Sequence, residues 1–202
     1  MLKCILVQPK DLAACYLRRY ACGSKCLRPL GYHDAMTFVQ DVPILWKEDG
    51  TLRYYSPIEL DIPRSDQSWP THCACGYAFT EKDEWQQFHD RIYSDGPQQW
   101  PKRQLPVGAM FFADWYPKNM FWDNKEDDHL FVLTPGGEWD IDSRASNCTL
   151  PNDRLHRCWV RHGEPPNIHV DKNGHTCAAG AGSIALPGYH GFLHNGYLTG
   201  SL

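Results

Sequence analysis

Two close cysteine pairs limit how this chain can fold more than any other feature: Cys22-Gly-Ser-Lys-Cys26 and Cys73-Ala-Cys75-Gly76. A tight turn lets two cysteines of one loop reach adjacent corners of a tetrahedron, and zinc takes four such soft or borderline donors. Sharing one ion would tie together the whole stretch between the pairs. Glycine after Cys75 suits this use, because backbone N–H groups must turn toward the thiolates and the turn calls for positive φ. The pairs predict a site of Cys22, Cys26, Cys73 and Cys75, with His33 and His72 as spare nitrogen ligands. The competing reading is four small buried side chains, a common role of free cysteine.

A second set lies later, at Cys148, His156, Cys158 and Cys177, with His162, His169 and His175 nearby. His156 and Cys158 would share one side of a strand, and the Asn173-Gly174 turn can return Cys177 to the same place. Cys4 and Cys15 have no close partner in sequence and read as core. The chain has 202 residues and nine cysteines. No signal-peptide core or membrane span interrupts it, which predicts a cytoplasmic chain with reduced thiols. The odd cysteine count also argues against a disulfide framework. With net charge -4 and no basic run beyond Arg18-Arg19 and Lys102-Arg103, nucleic acid is a poor partner.

Fifteen prolines and 16 glycines predict many turns and no long helices. Asp11 to Tyr20 reads as a helix, with Leu12, Cys15, Tyr16 and Tyr20 near one face. A second helix is expected from Thr80, which can cap Asp83 ahead of the stripe Trp85, Phe88 and Ile92. Strands are expected at Met36 to Val39 and Leu52 to Tyr55, around the turn at residues 47–51. Further strands follow at 109–116, 129–133 and 138–142, in a hairpin turning at Pro135-Gly136-Gly137, and around Asn173-Gly174 and Asn195-Gly196. The expected fold class is therefore α+β, mainly antiparallel β with two short helices, stabilised by zinc. A soft division near residue 100 separates a mixed region, 1–100, from an antiparallel β region, 101–202, within what can be one compact domain.

Catalytic motifs are scarce. His162-Gly-Glu164 has the start of a zinc deaminase site but no Pro-Cys-x-x-Cys follows it. There is no His-Glu-x-x-His and no Gly-x-Ser-x-Gly. Glu138, Asp140 and Asp142 alternate on one strand face and could bind a hard cation, although a solvated outer face is the ordinary outcome of such alternation. His190 and His194 share a strand face in the same way.

Cys73-Ala-Cys75-Gly76, the strand around Trp139 and the run Gly180 to Gly196 together resemble a family of small proteins. That family is found in phage genomes and beside bacterial ubiquitin-like conjugation operons. The resemblance covers roughly the last two-thirds of the chain and implies a small metal-stabilised β domain without an established activity. The family's denser Cys-Pro-Cys-Gly cluster is missing, so it carries ligands over only at Cys73 and Cys75, with His190 as a further candidate. The expectation is a non-enzymatic, zinc-stabilised, phage-encoded protein that binds a virion component or a host protein, located in the host cytoplasm or the virion. The alternative is a zinc-dependent hydrolase, with Glu164, Asp140 or Asp142 as base and His162 nearby.

Overall fold

The computed structural model describes residues 1–22, 26, 31–46, 55–113, 129–145, 147–153, 156–174, 177–179 and 183–200. The strands in chain order begin with β1 (Leu2–Lys3), β2 (Ile5–Leu6), β3 (Gln8–Ala21), β4 (His33–Trp46) and β5 (Tyr55–Pro57). Then come β6 (Glu84–Ser94), β7 (Gln99–Pro101), β8 (Ala109–Ala113), β9 (His129–Thr134) and β10 (Gly137–Asp140). The last are β11 (Val160–His162), β12 (His169–Asp171), β13 (Ile184–Leu186), β14 (Tyr189–His194) and β15 (Tyr197–Gly200).

The expected α+β class with two helices is wrong. Among the described residues the fold is nearly all β, and its helical element is one 3₁₀ turn at Lys102–Gln104. The segment read as the first helix is the central strand β3, hydrogen-bonded to β4 on one side and β6 on the other. Its two faces are both covered: Ala13, Cys15 and Leu17 are buried on one, Ala14 and Tyr16 on the other. A strand buried on both sides shows a continuous apolar run, and alternation disappears from the sequence.

The second expected helix is strand β6. Trp85, Phe88 and Ile92 are spaced like a helical stripe but split between sheet faces. Trp85 meets Trp69 edge-on at 4.6 Å between ring centroids, while Phe88 lies beside Tyr16 at 6.5 Å. Thr80 and Asp83 do form a reciprocal turn: the Asp83 N–H donates to the Thr80 carbonyl at 3.1 Å, and the Thr80 N–H to Asp83 Oδ2 at 2.6 Å. The turn launches a strand instead of a helix, in keeping with the aromatic and β-branched residues that follow.

The strands form four sheets. One is ordered β5-β4-β3-β6-β7, a second β10-β9-β8-β2, a third β1-β15-β14-β13, and a fourth is the hairpin β11-β12. Met36 to Val39 lies within β4, and Tyr55 opens β5; residues 47–54 and 114–116 of the expected elements lie outside the described residues. The β9–β10 hairpin turns at Pro135 and Gly136 as the sequence suggests, with Thr134 opposite Gly137. β14 and β15 meet across Asn195-Gly196. β12 pairs with the preceding strand β11, through 163–168, instead of turning forward at Asn173-Gly174.

The main core lies between the second and third sheets. Met110, Leu130, Val132 and Ile141 pack there against Ile184, Tyr189, Leu193 and Leu198. On the other face of β8, Phe111 joins Val7, Tyr93 and Leu105. The first residues of the chain are built into the later sheets: β1 pairs with β15, and β2 runs parallel to β8.

Candidate metal centres

β3 and β4 place Ala21 directly opposite His33 at one end of the long sheet. Past that end, a tight turn carries Cys73 and Cys75. The turn is closed by the Cys73 N–H to the Tyr77 carbonyl and the Gly76 N–H to the Cys73 carbonyl, both at 2.9 Å. Gly76 has φ +93°, a conformation that only glycine adopts without strain. One ligand atom each from Cys26, His33, Cys73 and Cys75 lies within 4.8 Å of the others. His33 Nδ1 is 3.2 Å from Cys75 Sγ.

Three of the four expected ligands are therefore brought together, and His33 stands where Cys22 was expected. Cys22 is exposed and outside the set. His33 is held there by its pairing with Ala21, the last residue of β3, and Cys22 lies past the end of that strand. His33 is buried, and its ring stacks on Tyr77 at 4.0 Å with 7° between planes. Tyr77 in turn donates to Asp83 at 3.3 Å. The backbone N–H of Cys75, and after it that of Asp34, holds the Cys73 thiol down at about 6 against the effect of burial. His72, the other spare nitrogen ligand, is exposed and bonded to Thr71.

The second expected set is assembled without substitution. Cys148, His156, Cys158 and Cys177 offer ligand atoms all within 4.8 Å of one another. Cys158 Sγ lies 3.5 Å from His156 Nε2 and 3.7 Å from Cys177 Sγ, and Cys177 Sγ lies 4.0 Å from Cys148 Sγ. Zinc–ligand bonds of about 2.3 Å to sulfur and about 2.1 Å to nitrogen imply tetrahedral edges of about 3.8 Å for S···S and about 3.6 Å for S···N. The observed separations match these edges. A disulfide needs about 2.05 Å, and none of the nine cysteines forms one.

The loops of this second centre are bound to each other. Arg144 donates to the carbonyls of Leu150, at 3.1 Å, and Pro151, at 2.8 Å, and also reaches that of Asp153. Lys172 donates to the Cys177 carbonyl at 2.9 Å. Burial pushes the Cys177 thiol up, but the backbone N–H groups of Thr149 and Ala179 outweigh it and bring it down to about 5. Burial dominates at Cys158, which is pushed up to about 11. A bound cation would reverse that penalty, since a coordinating thiol is deprotonated outright.

The remaining candidates are accounted for by other partners. Glu138 pairs with Lys102 at 3.1 Å, Asp140 with His129 at 3.0 Å and Asp142 with Arg161 at 3.2 Å, so these carboxylates do not converge on a cation. His162 and His169 share Asp171, at 2.8 Å and 3.2 Å. His190 and His194 occupy the outer face of β14 but diverge: His190 meets Ser183 at 2.8 Å, and His194 meets the His169 ring edge-on. His175 lies outside the described residues. Among the described residues no helix is long and apolar enough to cross a membrane. No protein-family model, curated protein or solved structure matches the chain.

Proposed function

We propose that the chain is a non-catalytic binding protein whose fold is held by two structural zinc ions, one in each Cys₃His group. The observation that carries this reading is the donor set itself. Each group supplies three thiols and one imidazole, which fill a tetrahedron and leave no coordination position for water or substrate. Backbone N–H groups aimed at Cys73 and Cys177 are the second layer that a thiolate-rich structural site requires. Three thiolates and a neutral imidazole favour zinc over calcium or magnesium, which take oxygen ligands.

Both ions would fasten segments that have little regular structure to the ends of sheets. Ions used in this way contribute folding energy, not chemistry. The hydrolase alternative has less support, because two of its three base candidates, Asp140 and Asp142, are engaged by His129 and Arg161, and the third, Glu164, is exposed and outside both Cys₃His groups. Binding of another protein, in a phage-encoded accessory role, is the activity left for a scaffold of this kind and agrees with the family resemblance.

Elemental analysis of the purified protein tests the metal reading. Two zinc ions per chain are expected, falling to one in each of Cys73→Ser and Cys158→Ser, with loss of cooperative unfolding. A single exchangeable ion whose removal leaves the fold intact would overturn it.

A further inference from the structure

The two Cys₃His groups offer the same donors but differ in access. In the first, Cys26, His33 and Cys73 are buried while Cys75 is exposed. In the second no ligand is exposed: His156 and Cys158 are buried, and Cys148 and Cys177 are half-buried. Its loops are also tied together by Arg144 and Lys172. With equal donors, access decides which thiolate first meets a small oxidant arriving from solvent, and that thiolate is Cys75.

Cys75 also has a second sulfur at hand. The ligand atoms of Cys73 and Cys75 lie within 4.8 Å of each other, on one turn closed by the Gly76 N–H to the Cys73 carbonyl. Two Cα atoms one residue apart in a tight turn fall inside the span of about 4.4–6.8 Å that a disulfide bridges. Cys26 is as near, but it belongs to a distant part of the chain, and joining it to Cys75 needs two segments to approach. Cys73 and Cys75 can meet within their own turn.

We propose that Cys75 is the thiolate through which the first group is oxidised, and that a hydroperoxide converts Cys73 and Cys75 to a disulfide and empties this group while the second keeps its ion. The Cys75 sulfur attacks one peroxide oxygen, the O–O bond breaks, and water leaves as a sulfenic acid forms. The Cys73 sulfur then attacks that sulfur, the S–O bond breaks, and a second water leaves as the S–S bond forms. The two sulfurs lose two electrons, the peroxide gains them, and solvent supplies two protons. Cys26 and His33 remain, two ligands where a structural zinc site needs four. The inference rests on the zinc reading above and adds regulation to one of its two sites. What loosens is the turn at Cys73 to Gly76 and the adjoining end of the β3–β4 pair, while the core between the second and third sheets is untouched.

The test treats the full-length, zinc-loaded chain with hydrogen peroxide and follows released zinc with a chromophoric chelator. One zinc per chain should leave at least about tenfold faster than the other. The tryptic peptide of residues 65–82 contains Cys73 and Cys75 and no other cysteine. After the fast phase it should carry an internal disulfide, while Cys148, Cys158 and Cys177 still react with an alkylating reagent once the protein is denatured. Cys75→His keeps a fourth ligand but cannot form the disulfide, and it should hold two zinc ions and lose the fast phase. Cys22→Ser removes the other exposed thiol, which lies outside the metal group, and should leave the fast phase unchanged. Release of both ions at one rate, earlier oxidation of the second group, Cys73 or Cys75 still open to alkylation after the fast phase, or a fast phase abolished by Cys22→Ser overturns the inference. A chain that holds no zinc before peroxide is added overturns the metal reading itself, whereas two ions that leave together overturn only the inference drawn from it.

Discussion

Gly76 shows what a single position can demand. It follows Cys75 at φ +93°, and a Cβ placed there would meet nothing within 4 Å, so the constraint is backbone conformation alone. Gly76→Ala should cost about 1–2 kcal/mol, read as a shift in the denaturant midpoint of the zinc-loaded protein. A cost near zero would mean that the turn around Cys73 and Cys75 has another geometry. Both centres respond to acid. Cys73 and Cys177 are held at about 6 and about 5, below the ordinary 9. A depressed thiol stabilises the fold at pH above its unfolded value and loses that contribution as pH falls through its folded value. Protons also compete with the ion for the thiolates. Zinc retention should therefore be flat above about pH 7 and fall steeply below about pH 5, followed with a chromophoric chelator. Retention independent of pH down to about 3 would contradict the thiolate assignment.

At the scale of elements, strand β3 separates the sequence reading from the fold. A helix over Asp11 to Tyr20 leaves Leu17 off the apolar stripe, whereas the strand buries it fully, on the face of Ala13 and Cys15. Leu17→Ala should cost about 2–5 kcal/mol, while Phe38→Ala on the exposed part of β4 should change stability by no more than about 0.5 kcal/mol. The helix reading predicts a small effect at Leu17. The metal centres act on separate elements as well. Cys73→Ser should speed amide exchange at Arg18 to Tyr20 and at Asp34 to Met36 and leave β14 and β15 protected. Cys158→Ser should expose β11 and β12 first.

What could be read in advance followed from local chemistry. The late strands announced themselves through alternation and glycine turns: Tyr189, Gly191 and Leu193 point inward and His190, Phe192 and His194 outward, as period two requires. Gly191 has a further reason that no pattern reveals, since a Cβ there would collide with the Thr199 carbonyl and the Tyr189 hydroxyl. Strands β3 and β6 were not legible, because burial on both faces and a chance helical spacing of Trp85, Phe88 and Ile92 concealed them. The spacing of cysteines and histidines named all four residues of the second candidate group. It located the first only in part, because the fourth ligand is fixed by the pairing of His33 with Ala21 across strands.

For the molecule as a whole, the central claim is that both Cys₃His groups are closed structural sites. X-ray absorption at the zinc edge tests it most directly, on protein carrying its full complement of metal. The account predicts two zinc ions per chain, each with three sulfur neighbours at about 2.3 Å and one nitrogen at about 2.0–2.1 Å. An oxygen neighbour from bound water, or fewer than three sulfurs per zinc, would contradict it and return the chain to the class of catalytic metal proteins.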